Sequence, residues 1–317
     1  MTTFDVFNGD ADGILSLLQL RLSDPRPEAK LVTGRKRDIK LLSQVVPNTG
    51  DDVTVLDISM KSNGDDLRRI LDAGATVFYV DHHNAGDIPD HPNLNAVIDT
   101  SPEICTAMLI DDCLEGAHRA WAVTAAFGDN FPKLARAKAE GLDLPLDALD
   151  RLGMLINYNG YGGSVDDLLF HPADLYKNLL PYKTPMEFLG SRTDIYARLE
   201  NGYETDLSNA EAAKTLDETT SGRVLVLPDA AGSRRISGVF GNDLAQKTPD
   251  KAHAILTEDA KDQSYLVSIR APLSNRSGAD NLALQFPTGG GRSAAAGINQ
   301  LPYSDLDTFI QAFRKAF

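Results

Sequence analysis

Apolar and β-branched residues gather in short runs along the first hundred positions, at about Phe4 to Asn8, Lys30 to Thr33, Val53 to Asp57, Thr76 to Val80 and Ala96 to Ile98. Runs of this length bounded by Gly, Asn and Asp predict strands. Between them, Gly13 to Leu22, Asp38 to Val45 and Asp65 to Ala73 carry apolar residues three and four apart, which predicts helices that cover a sheet face. Alternation of the two patterns predicts βαβ units on a parallel sheet. Asp10, Asp12, Asp57 and Asp81 then fall at the C-terminal ends of strands, the edge at which open α/β sheets hold their ligands.

From about Pro102 to Glu218 helical patterning takes over, interrupted by the loop Asn157-Tyr158-Asn159-Gly160-Tyr161-Gly162-Gly163-Ser164. This stretch reads as a helical completion of the first domain followed by a connector. A β-type run resumes at Arg223 to Leu227, followed by a helix-like Gly241 to Gln246, an apolar run at His253 to Leu256 and a strand at Tyr265 to Arg270. An amphipathic stretch, Ser304 to Phe317, is expected to pack on this second sheet. The division is expected near Thr219 to Gly222, giving an α/β domain with a helical connector over 1–218 and a smaller α/β domain over 219–317.

Composition narrows the class. With 317 residues, 42% hydrophobic and 24% charged, the chain has material for two cores and is neither disordered nor collagen-like. No apolar run reaches the roughly 18 residues of a spanning helix, so no membrane partner is expected. The start, MTTFDVFNGDADG, has acids where an export signal has a basic head, and Cys105 and Cys113 are the two cysteines; both features point to a cytoplasmic protein. Forty-five acids against 31 Lys and Arg leave a net charge of -14, which repels a long polyphosphate. A small anion is still compatible with that field, because local cations invert it within a pocket.

The chemistry is concentrated in four segments: Asn8-Gly9-Asp10-Ala11-Asp12-Gly13, Leu56-Asp57-Ile58-Ser59, Asp81-His82-His83 and Phe127-Gly128-Asp129-Asn130. Taken singly, Asp-Ala-Asp-Gly reads as a helix N-cap and Asp57 as a cap after a strand. Taken together, carboxylates at strand ends with imidazole nearby and no cysteine are the donor set of hard or borderline divalent ions, manganese or magnesium more than zinc. Asp10 and Asp12 can each face one ion while Asp57 bridges two. A pair of ions clamps the attacking and leaving oxygens of an in-line phosphoryl displacement and lowers the pKa of bound water. Phosphoester hydrolysis is the chemistry this set implies.

Asp81-His82-His83, with the three other segments in the same order, resembles the DHH phosphoesterase superfamily. Its members include RecJ-type exonucleases, oligonucleotide and phosphoadenosine phosphatases, cyclic dinucleotide phosphodiesterases and manganese-type pyrophosphatases. The resemblance implies two manganese ions, with magnesium as the alternative, held by Asp10, Asp12, Asp57, His82 and Asp129, with Asp57 bridging and His83 near the scissile phosphate. Ser268-Ile269-Arg270 and Gly289-Gly290-Gly291-Arg292 resemble the DHH-associated domain, where an arginine and a Gly-Gly-Gly-His loop hold the substrate. Consecutive glycines let N–H groups approach an anionic oxygen, and Arg270 can add a bidentate clamp. The chain departs from the family in two places. Asn8 stands where some relatives carry an acid, and Arg292 stands where the loop usually has histidine; a guanidinium binds phosphate but cannot serve as a general acid near neutral pH.

The expected function is a metal-dependent phosphohydrolase acting on a short nucleotide or oligonucleotide, with a second copy of the chain as the expected protein partner. The glycine run lies close to the end of the sequence, which leaves no length for the oligonucleotide-binding fold of RecJ-type enzymes and disfavours long DNA. Two alternatives are a RecJ-like single-strand exonuclease and a nucleotide-binding regulatory protein of weak activity. Arg35-Lys36-Arg37 follows the second strand on the ligand-bearing edge, where it reads either as a lure for anionic substrate or as solvated surface charge.

Overall fold

The computed structural model describes residues 1–191 and 194–317, which divide into two units, Met1–Glu200 and Asn201–Phe317. In the first, β1 (Thr3–Phe7), β2 (Lys30–Val32), β3 (Asp52–Leu56), β4 (Thr76–Asp81) and β5 (Leu94–Ile98) form one sheet in the order β2-β1-β3-β4-β5. All neighbouring pairs are parallel. Val6, Phe7, Val55, Leu56, Tyr79 and Val80 are buried, as strands covered on both faces require. The chain leaves β1 towards β2 on one side and reaches β3 on the other, so the loops after β1 and β3 part and open a crevice at the C-terminal edge.

Helix α1 (Ala11–Ser23) follows β1 and is buried almost all round, packed against α3 (Thr106–Cys113) and α4 (Arg119–Gly128). Its one buried cation, Arg21, reaches Asp5 of β1 at 2.9 Å through Nε and Thr54 of β3 at 3.0 Å. Helix α2 (Gly64–Asp72) covers the sheet through Leu67 and Ile70, which join Val53, Val55, Val77 and Tyr79 in one core. The remaining helices are α5 (Pro132–Lys138), α6 (Leu146–Asn159), α7 (Pro172–Leu179), α8 (Pro185–Gly190) and α9 (Asp194–Glu211), and the division at Glu200 falls within α9.

In the second unit, β6 (Lys214–Glu218), β7 (Gly222–Leu227), β8 (Ala252–Asp259), β9 (Ser264–Arg270), β10 (Gly289–Arg292) and β11 (Ala295–Pro302) form a sheet in the order β10-β11-β9-β8-β7-β6. Strands β7 and β8 pair in parallel, and the other neighbours in this sheet pair antiparallel. One face packs on α11 (Ala279–Ala283) and α12 (Leu306–Ala316) through Leu282, Phe309 and Phe313; α10 (Ala231–Lys247) packs against β8 and β9. Among the described residues no helix is long and apolar enough to cross a membrane.

The α/β class and the parallel first sheet agree with the sequence pattern, and several local expectations do not. Asp38 to Val45 holds only one 3-10 turn, Leu41–Gln44, because the Asp38 carboxylate turns back to the backbone N–H of Arg35 at 2.8 Å. Lys214–Glu218, read as helical, is a strand, since it pairs antiparallel with β7. Thr219 to Gly222, expected to divide the domains, closes that hairpin: the Thr219 hydroxyl accepts from Gly222 N–H at 3.0 Å. Helix α10 begins ten residues before the expected Gly241, with small and polar residues filling its first turns.

Candidate metal centre

The crevice beyond β1 and β3 is lined by the acids that the strand-end pattern picks out. Asp10 caps α1, its Oδ1 accepting from Gly13 N–H at 3.0 Å, so the capping reading and the ligand position coincide in one residue. Asp12, in the first turn, is buried; its two oxygens accept from Thr106 N–H at 2.8 Å and Ala107 N–H at 2.7 Å, buried donors at the start of α3 that have no partner within the helix. Asp57 follows β3 in a left-handed conformation with φ of 59°. Its N–H donates to Val80 O at 3.0 Å and its Oδ1 accepts from the Thr106 hydroxyl at 3.1 Å, which hold the unusual backbone in place.

The two histidines follow β4. His82 Nδ1 lies 2.8 Å from the Ile104 carbonyl, which can only accept, so Nδ1 carries the hydrogen and Nε2 presents its lone pair. Nε2 stands 3.5 Å from Asp57 Oδ1, 3.8 Å from Asp129 Oδ2 and 3.9 Å from Asp12 Oδ2. These separations exceed hydrogen-bond length, and donors each about 2.1 Å from one ion lie ~3 to 4 Å apart. His83 bonds through Nδ1 to Asp81 Oδ1 at 2.8 Å. Burial pushes the His83 pKa down, but the Asp81 bond and the surrounding carboxylates outweigh it and leave the ring more basic than usual.

Asp129 arrives from the C-terminal end of α4, and the small residues before it explain how. A Cβ on Gly128 would meet Ala11 Cβ at 2.5 Å and the Gly153 carbonyl oxygen at 2.6 Å, so only glycine lets α4 lie this close to α1 and α6. Burial, then the charges of Asp12, Asp10, Asp129 and Asp81, push the Asp57 carboxyl well above the usual range. Burial and Asp129 likewise raise Asp12, against the pull of His82. Oxygen donors with one or two imidazoles, buried and mutually repelling, fit a divalent cation of the manganese or magnesium kind. Asp57, His82 and His83 form one donor group and Asp12, His82 and Asp129 another, each within 4.8 Å.

Asp10, expected beside them as a ligand, belongs to neither group. Its Oδ2 is 2.7 Å from Lys36 Nζ, which also reaches Asp129 Oδ1 at 3.0 Å and Asn157 Oδ1 at 3.1 Å. Burial alone would raise Asp10, but the Lys36 charge and bond together with the Gly13 N–H bring it below its ordinary value. Burial disfavours the Lys36 ammonium too, yet Asp10 and Asp129 hold its pKa well above the ordinary one. Lys36 is the site residue that sequence reasoning missed; its signal was the basic trio on the ligand edge, whose members the fold separates. Arg35 turns to Asp38, with Nη2 at 2.6 Å from its Oδ1, and Lys36 turns inward.

No family model matches the sequence, and no curated protein does either. Solved structures do match. The DHH domain of a member of a ribosomal-protein family superposes with a TM-score of 0.63 at 14% identity, covering 99% of this chain and 86% of the other. Exonuclease RecJ bound to manganese gives 0.60 at 17% identity, covering 99% and 90%. A pGpG-specific phosphodiesterase from Vibrio cholerae gives 0.57 at 16% identity, covering 99% of both chains. The chain has the DHH fold.

In this DHH-fold chain the residues expected to hold substrate lie on the second sheet. Arg270, at the end of β9, donates from Nε to Asn242 Oδ1 at 2.7 Å and from Nη2 to the Gly238 carbonyl at 3.1 Å, both on α10. The glycine run is an edge strand rather than an open loop, because β10 pairs with β11. Two of its glycines answer to the chain's own packing. A Cβ on Gly289 would lie 1.8 Å from the Ala283 carbonyl oxygen, and one on Gly291, at φ 142°, would lie 2.4 Å from Ala296 Cα. Gly290 faces open space and Arg292 is exposed.

Proposed function

We propose that this chain is a metal-dependent phosphoesterase that acts on a short nucleotide or oligonucleotide. One observation carries the reading: two buried carboxylates, Asp12 and Asp57, and the half-buried Asp129 converge on His82 Nε2, while the other ring nitrogen is tied to the Ile104 carbonyl. Asp12, Asp57, His82 and Asp129 would hold the ion, manganese or magnesium. Bound there, it polarises a phosphoryl oxygen and acidifies water.

The chain's own groups supply the rest. His83, oriented by Asp81 and more basic than an ordinary histidine, is the proton donor for the departing oxygen. Arg270, Arg292 and the N–H groups around Gly290 supply anion-binding capacity. The net charge of -14 favours a small substrate over long nucleic acid. The fold shared end to end with a pGpG-specific phosphodiesterase is in keeping with a short one.

The test is release of nucleotide or phosphate by the full chain with manganese across dinucleotides, short RNA, phosphoadenosine phosphate, cyclic dinucleotides, pyrophosphate and single-stranded DNA. Turnover of one small class is expected. Preference for single-stranded DNA would favour the exonuclease reading, and silence across the panel with manganese demonstrably bound would refute hydrolysis.

A further inference from the structure

An ammonium ion has three hydrogens, and the three on Lys36 meet three acceptors: Asp10 Oδ2 at 2.7 Å, Asp129 Oδ1 at 3.0 Å and Asn157 Oδ1 at 3.1 Å. The Tyr161 ring lies under it, with its centroid 5.6 Å from Nζ. The backbone is tied down as well, since Lys36 N–H donates to the Gly160 carbonyl at 2.9 Å and its carbonyl accepts from Asn8 Nδ2 at 3.5 Å. Residues from the ends of α1, α4 and α6 thus build a cradle for a half-buried cation. Withdrawing the lysine would leave Asn157 and Asp10 each without an established bond.

This cradle uses the acids on which a two-ion centre would depend. Asp10 has one oxygen on Gly13 N–H and the other on Lys36 and also meets the Asp57 carboxyl group, and Asp129 is shared, with Oδ1 on Lys36 and Oδ2 turned to His82. A divalent ion beside Asp10 would stand next to a full positive charge on the same carboxylate, where unlike neutral N–H donors the ammonium repels it strongly. The donors left over, Asp12, Asp57, His82, His83 and Asp129, fall into two groups that both need His82, and with Nδ1 tied to the Ile104 carbonyl its Nε2 can serve one ion. Asn8, where an acid would strengthen a second ion's hold, has only an amide to offer.

We propose that the Lys36 ammonium takes the place of one of two metal ions, so that each chain binds a single divalent ion, in the donor neighbourhood around His82. This inference rests on the metal-centre reading above and deepens it. The positive charge that a second ion would supply at Asp10 is then a permanent part of the polypeptide, and one ion is what the chain must acquire.

The experiment counts ions on the full-length protein stripped with chelator and equilibrated with manganese, by elemental analysis and by electron paramagnetic resonance. The wild type is expected to hold one ion per chain with the signal of an isolated Mn2+. Lys36→Met, close in length and uncharged, is expected to hold two, with the spin-coupled signal of a neighbouring pair. Two ions in the wild type would overturn the proposal and leave the metal centre standing, as would a folded Lys36→Met variant that still holds one. Absence of bound manganese in the wild type would refute the metal centre itself and the proposal with it. Should Lys36→Met fail to fold, Lys36→Gln makes the same comparison, and the wild-type count decides on its own.

Discussion

Asp57 is held where its charge is unwelcome, and Asp57→Asn measures how unwelcome. The residue is 2% exposed and has Asp12, Asp10, Asp129 and Asp81 around it, with burial as the larger cause of its raised pKa. Asparagine is the replacement that disturbs least: it tolerates the left-handed φ of 59°, and its side-chain oxygen can still accept from the Thr106 hydroxyl. A carboxyl whose pKa is higher folded than unfolded binds protons more readily in the folded state, so the wild-type fold weakens as pH rises from about 4. Without metal at pH 7, the variant is therefore expected to be the more stable protein. A single stabilising substitution commonly contributes ~0.5–2 kcal/mol. For a unit of this size that is roughly 1–8 °C in Tm.

Manganese should reverse the order. At 100 times its Kd an ion stabilises the wild type by about 2.7 kcal/mol, or roughly 5–11 °C, and the variant, lacking the carboxylate, should gain little. Four melting curves, each protein with and without manganese, followed by the same set between pH 4 and pH 8, make the assay. A metal-free variant less stable than wild type at pH 7 would refute the electrostatic argument, and a full manganese shift in the variant would show that Asp57 is no ligand.

Gly128→Ala forces a methyl against Ala11 and the Gly153 carbonyl, and should cost about 1–3 kcal/mol while weakening manganese binding through the neighbouring Asp129; chemical denaturation and calorimetric titration read both, and an unchanged midpoint would mean that α4 has room to spare. Arg270→Ala removes the bonds to Asn242 and Gly238 and is expected to raise KM or lower kcat with the manganese content unchanged; loss of metal would contradict the assignment of substrate binding to this residue. Arg21→Met strands the buried Asp5 carboxylate and should destabilise by ~3–5 kcal/mol in urea unfolding, whereas a loss below about 1 kcal/mol would place the pair among the inconsequential ones.

Sequence by itself determined the parallel first sheet and the position of Asp10, Asp12, Asp57 and Asp81 at its C-terminal edge. Strand and helix periods are local, and each acid lies at the last strand residue or within five positions of it. It also marked out the His-His pair and the Phe-Gly-Asp turn, whose chemistry is carried in adjacent residues. Strands with little alternation were harder to see: Lys214-Thr-Leu-Asp-Glu and the glycine run become strands only by pairing with β7 and β11. Tertiary structure alone decided the charge balance. Lys36 meets Asp129 across 93 positions, and Asp12 meets Ala107 across 95. A lysine in a basic trio carries no local sign of which way it will turn. Its direction is settled by carboxylates that arrive from distant helices, because an ammonium drawn out of water needs negative charge to face it.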